Sequence, residues 1–175
     1  MPYDPQQTSQ APKPIEPTGF FTGIQFRPIV TGVIVDTLGT FVLYTGYNFL
    51  FVTKELAEKG LAGESAFAEY WLSSEGLAAS LLLGSLGTLI GGFYAAFKAG
   101  TLEMKHGALV GIGSIILGLL LQTGGSDSNL PEWFMALSFA AAIPAGAMGG
   151  FFAEMLKNAK GSGASPRSLG WPGSS

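Results

Sequence analysis

The sequence predicts an all-α, polytopic membrane protein built as a four-helix transmembrane bundle. Charged residues make up only 12% of the 175 residues, about half the share that is usual in soluble domains. Hydrophobic residues make up 47%, and the mean hydropathy is +0.38. Four apolar stretches are each long enough to cross about 30 Å of hydrocarbon at about 1.5 Å per residue.

The four predicted spans cover residues 28–52, 77–97, 107–121 and 133–152, within a transmembrane domain of residues 27–157. The second span contains no charged residue, whereas the helices of a soluble bundle carry polar stripes. The fourth contains Pro144, which removes a backbone hydrogen bond and predicts a kink near Ala140. We interpret this kink as a feature of shape, with a gate as the alternative.

Two tails and one long loop flank the predicted spans. Residues 1–26 are rich in Pro and Gln and lack the basic and apolar regions of a signal peptide, so they predict a disordered cytoplasmic tail. Residues 158–175 are rich in Gly, Ser and Pro and predict a second disordered cytoplasmic tail. Residues 54–72 mix acids with Leu, Phe, Tyr and Trp, which predicts an amphipathic segment at the outer interface; a solvated loop is the alternative.

The distribution of positive charge predicts the orientation. Of the 9 Lys and Arg residues, all but Lys54 and Lys59 lie in the two tails or near the loop between the second and third spans. Cytoplasmic loops carry an excess of Lys and Arg, so both termini are expected in the cytoplasm.

Small residues recur at helical spacing in every predicted span, which allows helix backbones to approach closely. The predicted helix-packing residues are Gly32, Gly39, Gly84, Gly87, Gly91, Gly107, Gly111, Gly118, Gly146 and Gly150. The sequence IGGFYA at 90–95 recurs as MGGFFA at 148–153, which predicts two repeated helical hairpins of the same orientation. Chance recurrence in a chain with 26 glycines is the alternative.

The sequence GGFYAAFKAG at 91–100, followed by HGALVG at 106–111, resembles a pattern in small four-helix bacterial membrane proteins of unknown function. In that pattern a Gly-Gly-aromatic helix end and a short basic turn precede a His-Gly helix start. The resemblance covers about 25 residues. It implies a multi-pass protein of the bacterial plasma membrane and no particular activity.

Four polar residues are candidates for a role inside the membrane: Asp36, Thr40, Tyr94 and His106. Asp36 would lie roughly 12 Å deep at about 1.5 Å per residue, where an acid normally faces the bundle and has a partner. The expected partners are Thr37, Thr40, Tyr94, Lys98 and His106. A structural hydrogen-bonding role is the first interpretation; proton or ion handling and surface exposure are the alternatives.

His106 is interpreted as an interfacial residue at a helix start, with a titratable group or a ligand of a metal or pigment as alternatives. The chain has no Cys and 1 His, which argues against a disulfide scaffold and a metal centre. A sequence pI of about 5.0 argues against nucleic-acid binding. No catalytic motif is present, so we expect neither enzymatic activity nor a cofactor.

These features predict a non-catalytic structural or accessory protein that packs through its glycine-rich faces. Its expected partners are the lipid bilayer and either other membrane subunits or further copies of itself. The alternative is a small homo-oligomeric transporter or channel that uses Asp36.

Overall fold

The computed structural model describes residue 19, residues 21–123 and residues 130–161, and this part of the chain is all-helical. The helices are α1 (Phe26–Glu58), α2 (Glu64–Leu72), α3 (Ser74–Ala99), α4 (Glu103–Thr123) and α5 (Glu132–Gly161). All except α2 are long and apolar enough to cross a membrane, which suggests a multi-pass membrane protein. The predicted tails lie largely outside the described residues.

All four long helices extend beyond the predicted spans, and α3 does so by only two or three residues at each end. Helix α1 continues to Glu58 because Val52 and Leu56 find apolar neighbours on α2. The predicted outer loop is therefore largely helical, as the end of α1 and the whole of α2. Helix α4 begins at Glu103 rather than at residue 107. Helix α5 runs through Pro144 and ends at Gly161, so the first residues assigned to the C-terminal tail belong to this helix.

Helix α1 is not a regular α-helix throughout, because residues Asn48–Val52 form a π-helical segment. Two side chains bond carbonyl groups in and beside this wide turn. The Asn48 amide donates to the Tyr44 carbonyl at 3.0 Å, and the Thr53 hydroxyl donates to the Asn48 carbonyl at 2.9 Å. The α-helical pattern resumes at Thr53.

Helix α2 covers one end of the bundle through an apolar cluster of Val52, Leu56, Ala66 and Tyr70, which we call the cap cluster. The hydroxyls of Tyr47 and Tyr70 lie 2.9 Å apart. Burial and this hydrogen bond raise the pKa of Tyr70 well above its usual value. The chain then enters α3 at Ser73, whose hydroxyl accepts the Gly76 N–H at 3.1 Å and thus caps the helix.

The other end of the bundle holds the first turn of α1, the end of α3, the start of α4 and the end of α5; we call it the terminal end. The Gln25 N–H donates to His106 Nε2 at 2.9 Å, and the Gln25 side chain donates to the Ala99 carbonyl at 3.1 Å. Lys157 on α5 donates to the Ala96 carbonyl at 3.2 Å and to Glu103 at 3.1 Å. The opposite end, which carries the cap cluster, is the loop end.

The turn between α3 and α4 requires an unusual backbone conformation. Gly100 ends α3 with a φ of 75°, a left-handed conformation that glycine adopts without steric cost. Leu102 also has a positive φ, of 51°, and its carbonyl accepts the His106 N–H at 3.0 Å. This tight turn brings α4 against α3 at the terminal end.

Close helix contacts in the terminal half of the bundle depend on glycine. A Cβ atom added to Gly91 would lie 2.5 Å from the Gly32 carbonyl oxygen, and one added to Gly146 would lie 2.3 Å from the Gly107 carbonyl oxygen. Such approaches are shorter than van der Waals contact, so a side chain cannot be added without displacing a helix. The predicted packing glycines in contacts of this kind are Gly32, Gly87, Gly91, Gly107, Gly111, Gly146 and Gly150.

Three of the predicted packing glycines make no such contact. A Cβ atom at Gly39, Gly84 or Gly118 would meet nothing within 4 Å. Gly84 and Gly118 instead line a cavity. Gly92 and Gly149, which the prediction omitted, hold α3 against α5: the added Cβ would lie 2.5 Å from the Gly146 oxygen and 2.2 Å from the Leu89 oxygen, respectively.

Candidate functional site

Asp36 lies on the face of α1 that packs against α3 and α4, and only 5% of its surface is exposed. Three hydroxyl groups surround its carboxylate. Thr40, one turn further along α1, donates to Oδ1 at 3.2 Å. Thr88 on α3 donates to Oδ2 at 3.2 Å, and Ser114 on α4 also donates to Oδ2. The carboxylate therefore joins three helices through hydrogen bonds.

Two glycines of α3 make room for this carboxylate. A Cβ atom on Gly91 would lie 2.7 Å from the Asp36 Cβ, and one on Gly87 would lie 2.9 Å from the Asp36 Oδ1. A Cβ on Gly87 would also overlap the Thr40 hydroxyl, at 1.8 Å. The absence of side chains at these two positions is what lets α1 and α3 approach around a buried acid.

A cavity of about 270 Å³ begins at Asp36 and extends towards the loop end. It lies between α1, α3, α4 and α5, and apolar residues such as Leu81 and Phe139 form much of its wall. The polar residues that line it are Asp36, Thr37, Thr40, Ser80, Ser85, Thr88, Ser114 and Ser138. Since a water molecule occupies about 30 Å³ in the liquid, the cavity has room for several.

The cavity ends at Asp36 because the helices pack closely against one another on the terminal side of this residue. Towards the terminal end, buried Gly32, Ala95 and Val110 fill the space between α1, α3 and α4. Gly107 and Gly146 bring α4 and α5 into backbone contact at the same level. Asp36 is thus at the floor of a cavity that extends to one side only.

The charge at this position has no cationic partner among the described residues. The ion pairs in the described part of the chain lie elsewhere and join Lys54 to Glu58, Lys59 to Glu55 and Lys157 to Glu103. None of the other residues lining the cavity is titratable. The nearest titratable group along α1 is Tyr44, whose hydroxyl donates to the Ser80 carbonyl at 3.2 Å near the mouth of the cavity.

The structure brings only one of the expected partners, Thr40, to Asp36. The Thr37 hydroxyl donates to the Val33 carbonyl at 2.9 Å. Tyr94 and Lys98 are exposed on the outside of α3. Tyr94 therefore does not join the polar group in the bundle interior, because its position on the helix turns it away from the other helices.

His106 is fully buried, at the terminal end rather than beside Asp36. Its Nε2 accepts the Gln25 N–H, so the proton of the neutral ring lies on Nδ1, which is 3.0 Å from the Leu102 carbonyl. The ring thus connects the start of α1 to the start of α4. His106 lies in the first turn of α4, and its interfacial position stays a prediction. The ring is enclosed by protein because the backbone of Gln25, just before α1, packs against it.

Thr88 and Ser114 complete the site and were not predicted. Each lies among the small residues of its helix: Thr88 directly follows Gly87, and Ser114 lies three residues after Gly111. Their position on a glycine-rich helix face could have identified them. Such a face packs against other helices, so a hydroxyl on it is expected in the bundle interior.

Comparisons with known proteins return no relatives for this chain: no family model, curated protein or solved structure matches it. Within the described residues, no group of three or more His, Cys, Asp and Glu side chains is placed to hold a metal ion.

Proposed function

We propose that this chain is a small multi-pass membrane protein that moves a small cation, with Asp36 as the binding group. The observation that carries this proposal is the position of Asp36 at the floor of a one-sided cavity whose largely apolar wall includes seven Ser and Thr residues. Ionisable residues inside membranes are costly and commonly mark ion or proton pathways. A purely structural acid would not need a water-sized space beside it.

The glycine contacts also favour transport over the accessory role that the sequence first suggests. Most of the predicted packing glycines are used between helices of the same chain, so they are not available as docking surfaces for another protein. The interior polar groups, by contrast, converge on one carboxylate from three helices.

We further propose that the protein lies in a bacterial plasma membrane with both termini in the cytoplasm. Both ends carry charges of both signs, but in different proportions. The terminal end carries Arg27, Lys98, Lys105, Lys157 and Lys160 with Glu103 and Glu154, whereas the loop end carries Lys54 and Lys59 with Glu55, Glu58, Glu64, Glu69, Glu75 and Glu132. This asymmetry supports the orientation. The bacterial assignment is supported by the sequence resemblance alone. In this orientation the cavity faces away from the cytoplasm.

The test is cation flux into liposomes that contain the purified chain. An imposed membrane potential supplies the driving force, and internal pH, Na⁺ and K⁺ indicators identify the ion. We expect flux with the wild-type chain and its loss with Asp36→Asn, because the amide cannot carry the negative charge.

Thr45→Val is the matched control for this experiment. Thr45 lies on the exposed side of α1, and its hydroxyl donates to the Phe41 carbonyl at 2.8 Å within the same helix. Flux should be unchanged in this variant. Wild-type liposomes that are no more permeable than empty ones, or an Asp36→Asn variant with full flux, would contradict the proposal.

A structural or accessory role is the second candidate, and the open flank of α1 favours it. Gly39 and Gly46 have nothing within 4 Å of an added Cβ, and Leu38, Phe41 and Val42 are mostly exposed. A helix of another membrane subunit or of a second copy would fit such a surface. Purification of a tagged chain in mild detergent, followed by native mass analysis, distinguishes these partners. Stoichiometric co-purification of another membrane protein would support this role.

A further inference from the structure

The hydroxyls of Thr88 and Ser114 each lie within reach of the Asp36 carboxylate and of a backbone carbonyl, and each has only one proton to donate. The Thr88 Oγ1 lies 3.2 Å from the Asp36 Oδ2 and 3.0 Å from the Gly84 carbonyl oxygen. The Ser114 Oγ contacts the Asp36 Oδ2 and lies 3.0 Å from the Val110 carbonyl oxygen. A hydroxyl has one O–H donor and two lone pairs, so each group can bond in either of two directions.

These alternatives satisfy both protonation states of Asp36. When the carboxylate is ionised, Thr40, Thr88 and Ser114 donate to it. When Asp36 is protonated, its Oδ2–H donates to the Ser114 Oγ, and the Ser114 proton turns to the Val110 carbonyl. The Thr88 proton can likewise turn to the Gly84 carbonyl. Only hydroxyl rotations separate the two states, so no helix has to move and no buried polar atom loses its partner.

We infer that the ligand of Asp36 is the proton, taken up from and released to water in the cavity on the loop side. This inference rests on the proposed function, for which it names the ion. The balance is simple: the Asp36 O–H bond breaks, its electrons stay on the carboxylate, and a cavity water accepts the proton. No other titratable group on α3, α4 or α5 faces the carboxylate among the described lining residues. Asp36 is therefore the group that binds and releases the proton.

The same contacts make a metal cation a poorer ligand. The hydroxyl groups contact the carboxylate oxygens directly, and hard cations such as Ca²⁺ and Mg²⁺ take six or more oxygen ligands of their own. A cation would have to displace these hydrogen bonds and would meet one negative charge only. The proton needs neither a larger space nor further ligands.

The experiment is a pH titration of Asp36 modification by dicyclohexylcarbodiimide. This apolar reagent adds a protonated carboxyl group across its C=N bond, without a leaving group, and peptide mass analysis locates the adduct. The full-length chain in detergent is labelled over a range of pH, in NaCl and in choline chloride. We expect labelling at Asp36 that falls with rising pH along a single titration curve, with the same midpoint in both salts.

Substitutions of Thr88 and Ser114 test whether their hydroxyl groups reorient when Asp36 gains or loses its proton. Thr88→Val removes a donor to the ionised form only, so the midpoint should rise by about one pH unit. Ser114→Ala removes a donor to the ionised form and also the acceptor of the protonated form, so the midpoint should shift less than in Thr88→Val. Thr88→Ser keeps the hydroxyl and should keep the wild-type midpoint, which separates loss of the donor from loss of packing. Thr45→Val, outside the site, should also leave the midpoint unchanged.

Several outcomes would overturn the inference: protection of Asp36 by Na⁺ at constant pH, no labelling at any pH, or an unchanged midpoint in Thr88→Val. Na⁺ protection accompanied by Na⁺ flux would leave the proposed transport intact and replace only the ion. A pH titration of the expected form without flux in liposomes would support proton binding and contradict transport. The two proposals therefore fail in different measurements.

Discussion

A single carboxyl group inside an apolar helix bundle determines how the surrounding residues are used. An acid there costs about 3 kcal/mol on insertion scales, and each hydrogen bond to a charged group returns about 1.5–3 kcal/mol. Three hydroxyl donors therefore suffice to hold Asp36 in place without a cation. The site needs no opposite charge, which leaves the carboxylate available to a ligand.

The buried His106 ring gives a prediction about stability. Its two nitrogens bond the Gln25 N–H and the Leu102 carbonyl, so His106→Ala leaves the Gln25 N–H without this acceptor and opens a cavity. We expect a loss of about 3 kcal/mol in the free energy of unfolding, measured by denaturant unfolding in detergent. Lys98→Ala, on an exposed position nearby, is the control. Equal stabilities of His106→Ala and the wild type would contradict this role.

The sequence predicts some of these residues and not others, for a geometric reason. Asp36 stands out as an acid in an apolar helix, and Thr40 follows because residues four apart share a helix face. Thr88 and Ser114 come from other helices, and their meeting with Asp36 depends on the relative shift of α1, α3 and α4. Helical periodicity within one segment contains no information about that shift.

At the level of the helices, glycines determine which pairs come closest. Gly32 and Gly91 bring α1 to α3, Gly107 and Gly146 bring α4 to α5, and Gly92 lies against α5. All these contacts are in the terminal half, where backbones touch. In the loop half, larger polar and apolar side chains separate the helices and leave the cavity.

The difference in packing between the terminal half and the loop half predicts that Gly→Ala has opposite effects on stability at Gly146 and Gly39. Gly146→Ala places a methyl group 2.3 Å from the Gly107 oxygen, and we expect a loss of about 2 kcal/mol or more from overpacking. Gly39→Ala meets nothing within 4 Å and should be neutral or stabilise the helix by up to about 1 kcal/mol. Thermal unfolding in detergent measures both. A destabilised Gly39→Ala variant would show that this flank contacts another chain.

Helix existence was predictable from the sequence, whereas helix ends were not. The four apolar stretches correspond to α1, α3, α4 and α5, because length and hydropathy depend on local composition. The extension of α1 to Glu58 depends on contacts of Val52 and Leu56 with α2, which lie outside the span. The repeat of two hairpins stays a prediction.

For the molecule as a whole, the main property is the difference between its two ends. Among the described residues, the terminal end is tightly packed and carries most of the Lys and Arg, whereas the loop end is rich in Glu and the cavity extends towards it. In the proposed orientation, the cavity approaches Asp36 from the loop end and not from the terminal end.

Cysteine accessibility tests this sidedness, and the natural chain offers no background because it contains 0 Cys. In intact cells, Ser138→Cys in the cavity wall should react with a membrane-impermeant maleimide added outside. Lys160→Cys at the terminal end should react only after the cells are opened. Thr45→Cys, on the exposed apolar flank, is the control and should react in neither case. Labelling of Lys160→Cys in intact cells would reverse the proposed orientation.

The π-helical turn at Asn48–Val52 has a consequence for how α1 can vary. Interior positions such as Gly32, Asp36 and Thr40 recur every four residues, a spacing that drifts around a regular α-helix by about 40° at each step. The wide turn takes up part of this drift before Val52 and Leu56 reach the cap cluster. The π-helical turn thus changes the direction in which the side chains of the second half of α1 point, relative to those of the first half. Insertions or deletions near it would rotate the end of α1 at the cap cluster without rotating Asp36, so the loop end can differ in length while the carboxylate keeps its neighbours.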